Sequence, residues 1–147
     1  EQIKAKPVNK VLLPLVEYFS RWWPTLALGA KAPNERFPEL DENLRQDPLT
    51  YKGPIRARVA SENLRAIDDA HDAAEQISAP LLVVHSYADT MCDPEGSASL
   101  YESASSADKT YDDLRDAQDF VFWHALTHEP GNLLIAERIL KWVISRV

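Results

Sequence analysis

The 147-residue sequence predicts an α/β fold with a parallel sheet. From Ser61 onward, segments with helical periodicity alternate with short apolar runs that favour strands. The clearest of these runs is Leu81–His85 (LLVVH), which is typical of a buried parallel strand. The chain closes with an amphipathic segment, NLLIAERILKWVISRV, at 132–147. A helix between successive strands provides the crossover that parallel pairing needs, so the order helix, strand, helix, strand, helix indicates this class.

The first part of the chain is organised differently. Residues 8–28 are strongly apolar, but prolines and charges interrupt them, among them Pro14, Glu17, Arg21 and Pro24, so no membrane-spanning helix is predicted. Large apolar side chains recur there at helical spacing and form one face: Leu12, Leu15, Val16, Phe19, Trp22 and Trp23. Such a face packs in a core, lines an acyl-binding groove or rests on a membrane. Residues 29–58, rich in proline and charge, predict a long irregular connection.

From residue 61 the elements can be placed in order. Ser61 is the predicted N-cap of a helix that ends before Ala79-Pro80, and its inward stripe comprises Ala60, Leu64, Ile67, His71 and Ala74. Asp93-Pro94 predicts the start of a helix that runs to about Ser105. A further strand is expected between Lys109 and Trp123. Asn132 is the predicted cap of the last helix, whose inward residues are Ile135, Ile139, Trp142 and Val143.

The charge and the cysteine content indicate which classes of partner and which cellular compartment to expect. The net charge is −7; residues 1–60 hold ten basic against seven acidic side chains, and residues 61–147 hold six against sixteen. A nucleic acid partner is not expected, because phosphates would be repelled by the acidic part. The single cysteine, Cys92, excludes an internal disulfide and favours a reducing, cytoplasmic location. The first ten residues hold three lysines and no apolar segment, so no signal peptide is predicted, and without an initiator Met the chain is expected to begin upstream.

Two polar sites follow the predicted strands, where parallel α/β sheets gather catalytic groups. Asp89 comes soon after LLVVH, where an acid can orient an imidazole, or it is an ordinary loop aspartate. His124 lies in the aromatic segment FWHALTH (122–128), as a general base or as a structural histidine. His124 and His128 are four residues apart, but the His-Glu-x-x-His pattern and a nearby cysteine are missing, so no metal site is predicted. Acid, then histidine, then closing helix is the downstream order of an α/β-hydrolase triad.

Three stretches carry a resemblance to a known family: DPLTYKGPIRARVASENLRA (47–66), APLLVVHSYADTMCDPEGSASLYESASSADKT (79–110) and WHALTHEPGN (123–132). They resemble the C-terminal part of monoacylglycerol lipases of the α/β-hydrolase superfamily, particularly plant-type members. The resemblance covers most of 47–147 and is weaker over 1–46. It implies a cap region at 1–58 and the C-terminal part of the hydrolase core at 59–147, a core that is incomplete without upstream residues.

The resemblance also implies roles for individual residues. Asp89 would be the triad acid, His124 the triad base and Asp93 a structural aspartate ahead of a helix. The apolar cap side chains would line an acyl-binding tunnel: Leu12, Leu15, Val16, Phe19 and Trp22. The expected substrate is a lipid-like ester, the cap is expected to contact membranes peripherally, and no cofactor or metal is expected.

The sequence departs from that family at three points. Ser86 stands where the family usually has glycine, and the acidic stretch TYDDLRDAQDFVFW (110–123) is longer than the usual strand and turn. The 147 residues contain no Gly-x-Ser-x-Gly and no glycine-rich oxyanion segment. We therefore expect a fragment or truncated product of a serine hydrolase, inactive and poorly stable alone. The alternative is a non-catalytic lipid- or protein-binding module derived from such a hydrolase; no oligomeric state is predicted.

Overall fold

The computed structural model describes residues 7–30, 32–117 and 119–147, with side chains from residue 14 onward. The described chain forms two compact units, one made of Asn43–Ala73 with the described part of Glu1–Pro33, the other of Asn34–Glu42 and Ala74–Val147. The elements in chain order are α1 (Pro7–Trp22), β1 (Ala27–Gly29), α2 (Pro38–Gln46), β2 (Ile55–Arg56), α3 (Ala57–Ala73), a 3₁₀ turn (Ala74–Gln76), β3 (Leu81–Val84), α4 (Pro94–Ser103), β4 (Lys109–Asp112) and α5 (Asn132–Ile144). Among the described residues, none of the helices has the length and hydropathy needed to cross a membrane.

The first unit consists of α1 packed against α3 and a short two-stranded ribbon. An ion pair links the two helices, with Arg65 Nη2 2.8 Å from Glu17 Oε1. Strands β1 and β2 pair antiparallel, with Ala27 opposite Arg56 and Gly29 opposite Ile55. Residues 8–28, whose apolar side chains recur at helical spacing, form helix α1 over about their first two thirds.

The prediction that residues 29–58 form an irregular connection is wrong in part, because this segment contains α2 and most of the ribbon. Helix α2 fully buries none of its side chains and has only nine residues, so its apolar spacing is too short for sequence reasoning to detect. Its N-terminal end is stabilised by polar contacts instead. Asn34 Oδ1 accepts from the Phe37 amide at 2.7 Å, and Asp41 Oδ2 accepts from the Asn34 amide at 2.7 Å.

The helix expected to begin at Ser61 begins one turn earlier, at Ala57, and Ser61 is buried inside it. The first amides of α3 need no side-chain cap, because the Ala57 and Arg58 amides donate to main-chain oxygens of Leu26 and Pro24. The inward stripe is also narrower than expected, since Ile67 is 47% exposed.

The second unit confirms the predicted α/β class. Strands β3 and β4 are parallel, in a register that runs from Leu81 opposite Lys109 to Val84 opposite Asp112. Helix α4 provides the crossover and begins at Pro94, as Asp93-Pro94 predicts. Asp93 is its N-cap, with Oδ1 accepting from the Glu95 amide at 3.1 Å. The core beneath the sheet comprises Leu114, Ala117, Phe122 and Ile135, with Val84, Leu126 and Leu134 packed against it.

The start of α5 differs from the prediction. The N-cap is Gly131, in the left-handed region at φ 90°, and Asn132 instead donates its side-chain amide to the Thr127 oxygen at 3.0 Å. A glycine adopts this backbone angle without strain, whereas a residue with a side chain would be strained at this position. Of the four residues expected to face inward, Ile135 is buried and Trp142 half-buried, whereas Ile139 and Val143 are 39% and 44% exposed.

Candidate functional site

Asp89 lies in the loop beyond the carboxyl end of β3, and its side chain is only 4% exposed. Its Oδ1 accepts from the amides of Met91 and Cys92 at 2.8 and 2.9 Å. Its Oδ2 contacts His124 Nδ1 at 2.9 Å and His85 Nε2 at 3.2 Å. Burial alone would raise the pKa of Asp89, but the bonds from the Cys92 amide, His124 and the Met91 amide outweigh it and lower this pKa. The carboxylate is therefore held ionised.

His124 lies in the loop that follows β4, and the structure brings it to Asp89 as the sequence order predicts. An ionised carboxylate only accepts hydrogen bonds, so the proton on this contact belongs to His124 Nδ1. Nε2 is then the ring nitrogen through which a neutral imidazole can accept a proton from a nucleophile. The side chain of His124 is 35% exposed, so a substrate can approach it.

Ser86 and Thr90 connect the loops that carry the acid and the histidine. Ser86 Oγ donates to the Phe122 oxygen at 2.6 Å and accepts from the Ala88 amide at 3.1 Å. Trp123 Nε1 donates to Thr90 Oγ1 at 2.9 Å. Leu114 is the one non-glycine residue with positive φ among the described residues, so Ser86 replaces the family's glycine without an unusual backbone angle.

The acidic segment before His124 is accommodated by basic partners. Strand β4 takes only Lys109–Asp112, and Arg138 of α5 pairs with Asp112 at 2.9 Å and Asp116 at 2.8 Å. The chain then turns at Leu114, which has φ 61° and is 2% exposed. Because of these ion pairs and this turn, the chain can continue from the acidic end of β4 back towards Asp89.

Two residues at the site were missed by sequence reasoning. His85, the last residue of LLVVH, contacts Asp89 through Nε2 and Ser97 Oγ through Nδ1, the latter at 2.5 Å. Glu129 is 1% exposed and accepts hydrogen bonds from the main chain around His124. His85 could have been noticed as a polar residue at the end of a buried strand. Glu129 gave no signal, since a glutamate in a loop is ordinarily solvated.

The apolar side chains that the resemblance assigns to a cap belong to the first unit. On α1, Leu15 and Trp22 are 43% and 62% exposed, while Val16 and Phe19 are half-buried. The side chain of Leu12 lies outside the described part of the chain. A cavity of about 270 Å³ opens between α1 and α3. Three of its seven lining residues are charged, namely Glu17, Arg65 and Asp68, and the other four are Pro14, Val16, Ser61 and Leu64.

One group at the site has the composition of a metal site. Single ligand atoms of Asp89, Cys92 and His124 lie within 4.8 Å of one another, and Zn²⁺ accepts all three ligand types. Each oxygen of Asp89 already has two hydrogen-bond partners, however. Burial and the Asp89 charge also raise the pKa of the Cys92 thiol, which disfavours the thiolate that a metal needs. The arrangement favours acid–base chemistry.

Comparisons with known proteins identify relatives of this chain. Monoacylglycerol lipase of Mycolicibacterium smegmatis is 27% identical over 146 residues, which cover 95% of this chain and 49% of that protein. The crystal structure of Paleococcus ferrophilus monoacylglycerol lipase superimposes with a TM-score of 0.75 at 25% identity, over 93% of this chain and 52% of that chain. The chain therefore spans about half the length of both relatives.

The fold of the second unit, with a small parallel sheet and its flanking helices, is part of an α/β-hydrolase fold. The loops beyond its two strands carry Asp89 and His124, at the carboxyl edge of the sheet where α/β folds bind ligands. A family model described as serine aminopeptidase, S33, matches residues 1–131. The chain belongs to this hydrolase family.

Proposed function

We propose that this chain supplies the acid and the base of a serine hydrolase that cleaves carboxylic esters. The observation that carries the proposal is the 2.9 Å contact between Asp89 Oδ2 and His124 Nδ1, which joins a buried carboxylate to a partly exposed imidazole. This pair is the part of a catalytic triad that activates a serine and stabilises the imidazolium. No cofactor is needed for this chemistry.

The proposed mechanism assigns one proton path. A serine oxygen attacks the ester carbonyl while His124 Nε2 takes the serine proton, and Asp89 stabilises the resulting imidazolium. His124 then returns the proton to the leaving alcohol, and water hydrolyses the acyl-enzyme by the same steps. Because the 147 residues lack Gly-x-Ser-x-Gly, the serine and the oxyanion-binding amides are proposed to lie outside them, in an N-terminal part. The chain alone is then inactive.

The proposed substrate class is a monoacylglycerol or a related lipid ester. Two relatives, from Mycolicibacterium smegmatis and Paleococcus ferrophilus, carry the name monoacylglycerol lipase. The apolar face of α1 offers side chains that suit an acyl chain, the half-buried Val16 and Phe19 beside the exposed Leu15 and Trp22. Acyl-chain binding by this face is part of the proposal.

A fluorophosphonate probe tests the proposal, because it modifies activated serines covalently. The intact protein that carries this chain is labelled, and the modified serine is located by peptide mapping. We expect labelling at a serine outside the 147 residues, abolished by His124→Ala. Labelling of Ser97, whose hydroxyl lies 2.5 Å from His85 Nδ1, or of Ser86 would overturn the assignment of roles.

The rival proposal is a non-catalytic module that binds a lipid or a protein. It is favoured by the exposed aromatic side chains of the first unit, where Tyr18, Trp22 and Trp23 are each more than half exposed. An intact protein that binds monoacylglycerol without hydrolysing it, and that resists the fluorophosphonate, would support this rival.

A further inference from the structure

Glu129 is a buried carboxylate bound by three consecutive main-chain amides. Its Oε2 accepts from the Trp123 amide at 2.6 Å, and its Oε1 accepts from the amides of His124 and Ala125 at 2.7 and 2.5 Å. The residue is 1% exposed. All three amides point towards this one carboxyl group, as in the concavities of main-chain amides that bind anions in other loops.

Both carboxyl oxygens of Glu129 therefore have main-chain hydrogen-bond partners. The ion pairs found among the described residues do not include Glu129. An ionised carboxylate buried at this depth persists only where hydrogen bonds replace its lost hydration. The loop is also closed by its own main chain, since the His128 and Glu129 amides both donate to the Ala125 oxygen. The carboxylate and the loop backbone thus depend on each other.

We propose that Glu129 is the positioning residue of His124, holding the main chain from which the imidazole extends. The inference rests on the proposed role of His124 as the base. Asp89 fixes the imidazole at Nδ1, and Glu129 fixes the backbone at the other end of the same residue. With both ends fixed, Nε2 faces the reacting serine in one orientation, which proton transfer between positioned groups requires.

Amide hydrogen exchange in the intact protein tests the proposal without any need for activity. Glu129→Gln keeps the shape but replaces one acceptor oxygen with an amide group that faces an N–H. We expect exchange at Trp123, His124 and Ala125 to rise about 10- to 100-fold, the effect of losing a hydrogen bond to a charged group. Glu137→Gln, on the exposed side of α5, is the matched control and should leave these three amides unchanged.

Glu129→Asp keeps the charge but shortens the side chain by one methylene. We expect a smaller rise in exchange at the same amides, and this variant serves if Glu129→Gln does not fold. Unchanged exchange in a folded variant would overturn the proposal. A rise spread evenly over the chain would overturn it as well, because it would indicate general destabilisation and no local role.

Kinetics separate a positioning role from a structural one. We expect Glu129→Gln to lower kcat about 10- to 100-fold while KM changes little, since the base is misplaced and the substrate still binds. The proton NMR signal of His124 Nδ1–H should broaden in the same variant. An unchanged signal with unchanged kcat would overturn the inference. If His124→Ala keeps full esterase activity, the proposed function fails, whereas the exchange result for Glu129 still reports on the loop.

Discussion

Asp89 Oδ2 and His124 Nδ1 lie 2.9 Å apart although 35 residues separate them in the chain. The two residues follow adjacent parallel strands, β3 and β4, and the parallel register places the ends of these strands at one edge of the sheet. The contact is therefore a consequence of topology, reinforced by the hydrogen bond from Ser86 to the Phe122 oxygen. The first prediction tests its chemical role.

His124→Ala should abolish esterase activity in the intact protein, lowering kcat by roughly 10⁴-fold or more, because the variant lacks the group proposed to take the serine proton. His128→Ala is the control. The contact recorded for its imidazole is with the neighbouring Thr127 hydroxyl at 2.9 Å, and activity should stay at the wild-type level. Hydrolysis of a chromogenic ester measures both variants. Full activity in His124→Ala, or its loss in His128→Ala, would assign the base elsewhere.

His85 should support catalysis through Asp89. In His85→Ala, Asp89 Oδ2 loses one of its two imidazole donors, and we expect kcat to fall about tenfold, within the range for a hydrogen bond to a charged group. His85→Gln can still donate to the carboxylate and should recover most of the activity. The measurement is kcat and KM for both variants. Equal loss in both would indicate that packing of the imidazole matters more than its hydrogen bond.

The sequence predicts the strands of the second unit better than the elements of the first. LLVV forms the predicted parallel strand, although its four side chains are half-buried and not fully buried as expected. Helix α2 buries no side chain and the ribbon strands are two and three residues long. Burial produces the apolar patterns on which sequence reasoning depends, and elements that bury little leave no pattern.

The residues of the candidate site also differ in whether the sequence predicts them. Asp89 and His124 are recognisable because strand order and a family motif point to them. Glu129 and His85 act through hydrogen bonds whose partners are distant in sequence or belong to the main chain, so no local pattern reports them. The acyl-binding role of Leu12, Leu15, Val16, Phe19 and Trp22 stays a prediction, as does the boundary between cap region and core at residue 58.

The stability of the protein should depend on Asp89 in a defined pH range. The pKa of Asp89 is lowered in the folded protein, so the ionised form stabilises the fold above the unfolded pKa of about 3.9. This contribution is lost as the pH falls through the lower, folded pKa.

Asp89→Asn should therefore destabilise the protein by about 1–3 kcal/mol near pH 7. The difference from wild type should shrink as the pH falls below about 4. Urea unfolding at several pH values measures it. Asp108 and Asp113, whose pKa values are also lowered, are present in both proteins, so their contributions to the pH dependence of stability cancel in the difference. A difference that grows towards acid would contradict the prediction.

Gly131→Ala should destabilise the loop that carries His124. Gly131 has φ 90°, which an L-residue adopts only with strain, and an added Cβ would lie 2.5 Å from Cγ of Phe120. We expect a loss of about 1–3 kcal/mol from the backbone angle, with a further cost for moving the ring. Thermal unfolding measures it, with Gly96→Ala as control, because no atom lies within 4 Å of a Cβ built there. Equal melting temperatures would show that the loop relaxes without cost.

Peripheral membrane contact through the cap region is the last prediction. Trp22 and Trp23 are 62% and 55% exposed at the end of α1, and indole rings favour the membrane interface. We expect the intact protein to co-sediment with phosphatidylcholine vesicles, and the double variant Trp22→Ala/Trp23→Ala to lose at least about tenfold in vesicle affinity. Leu49→Ala, which removes a 93% exposed side chain of the same unit, is the control for non-specific apolar contact. If the Leu49 variant loses as much affinity as the tryptophan variant, vesicle binding is not a property of this face. If neither binds less than wild type, the two tryptophans have no membrane role.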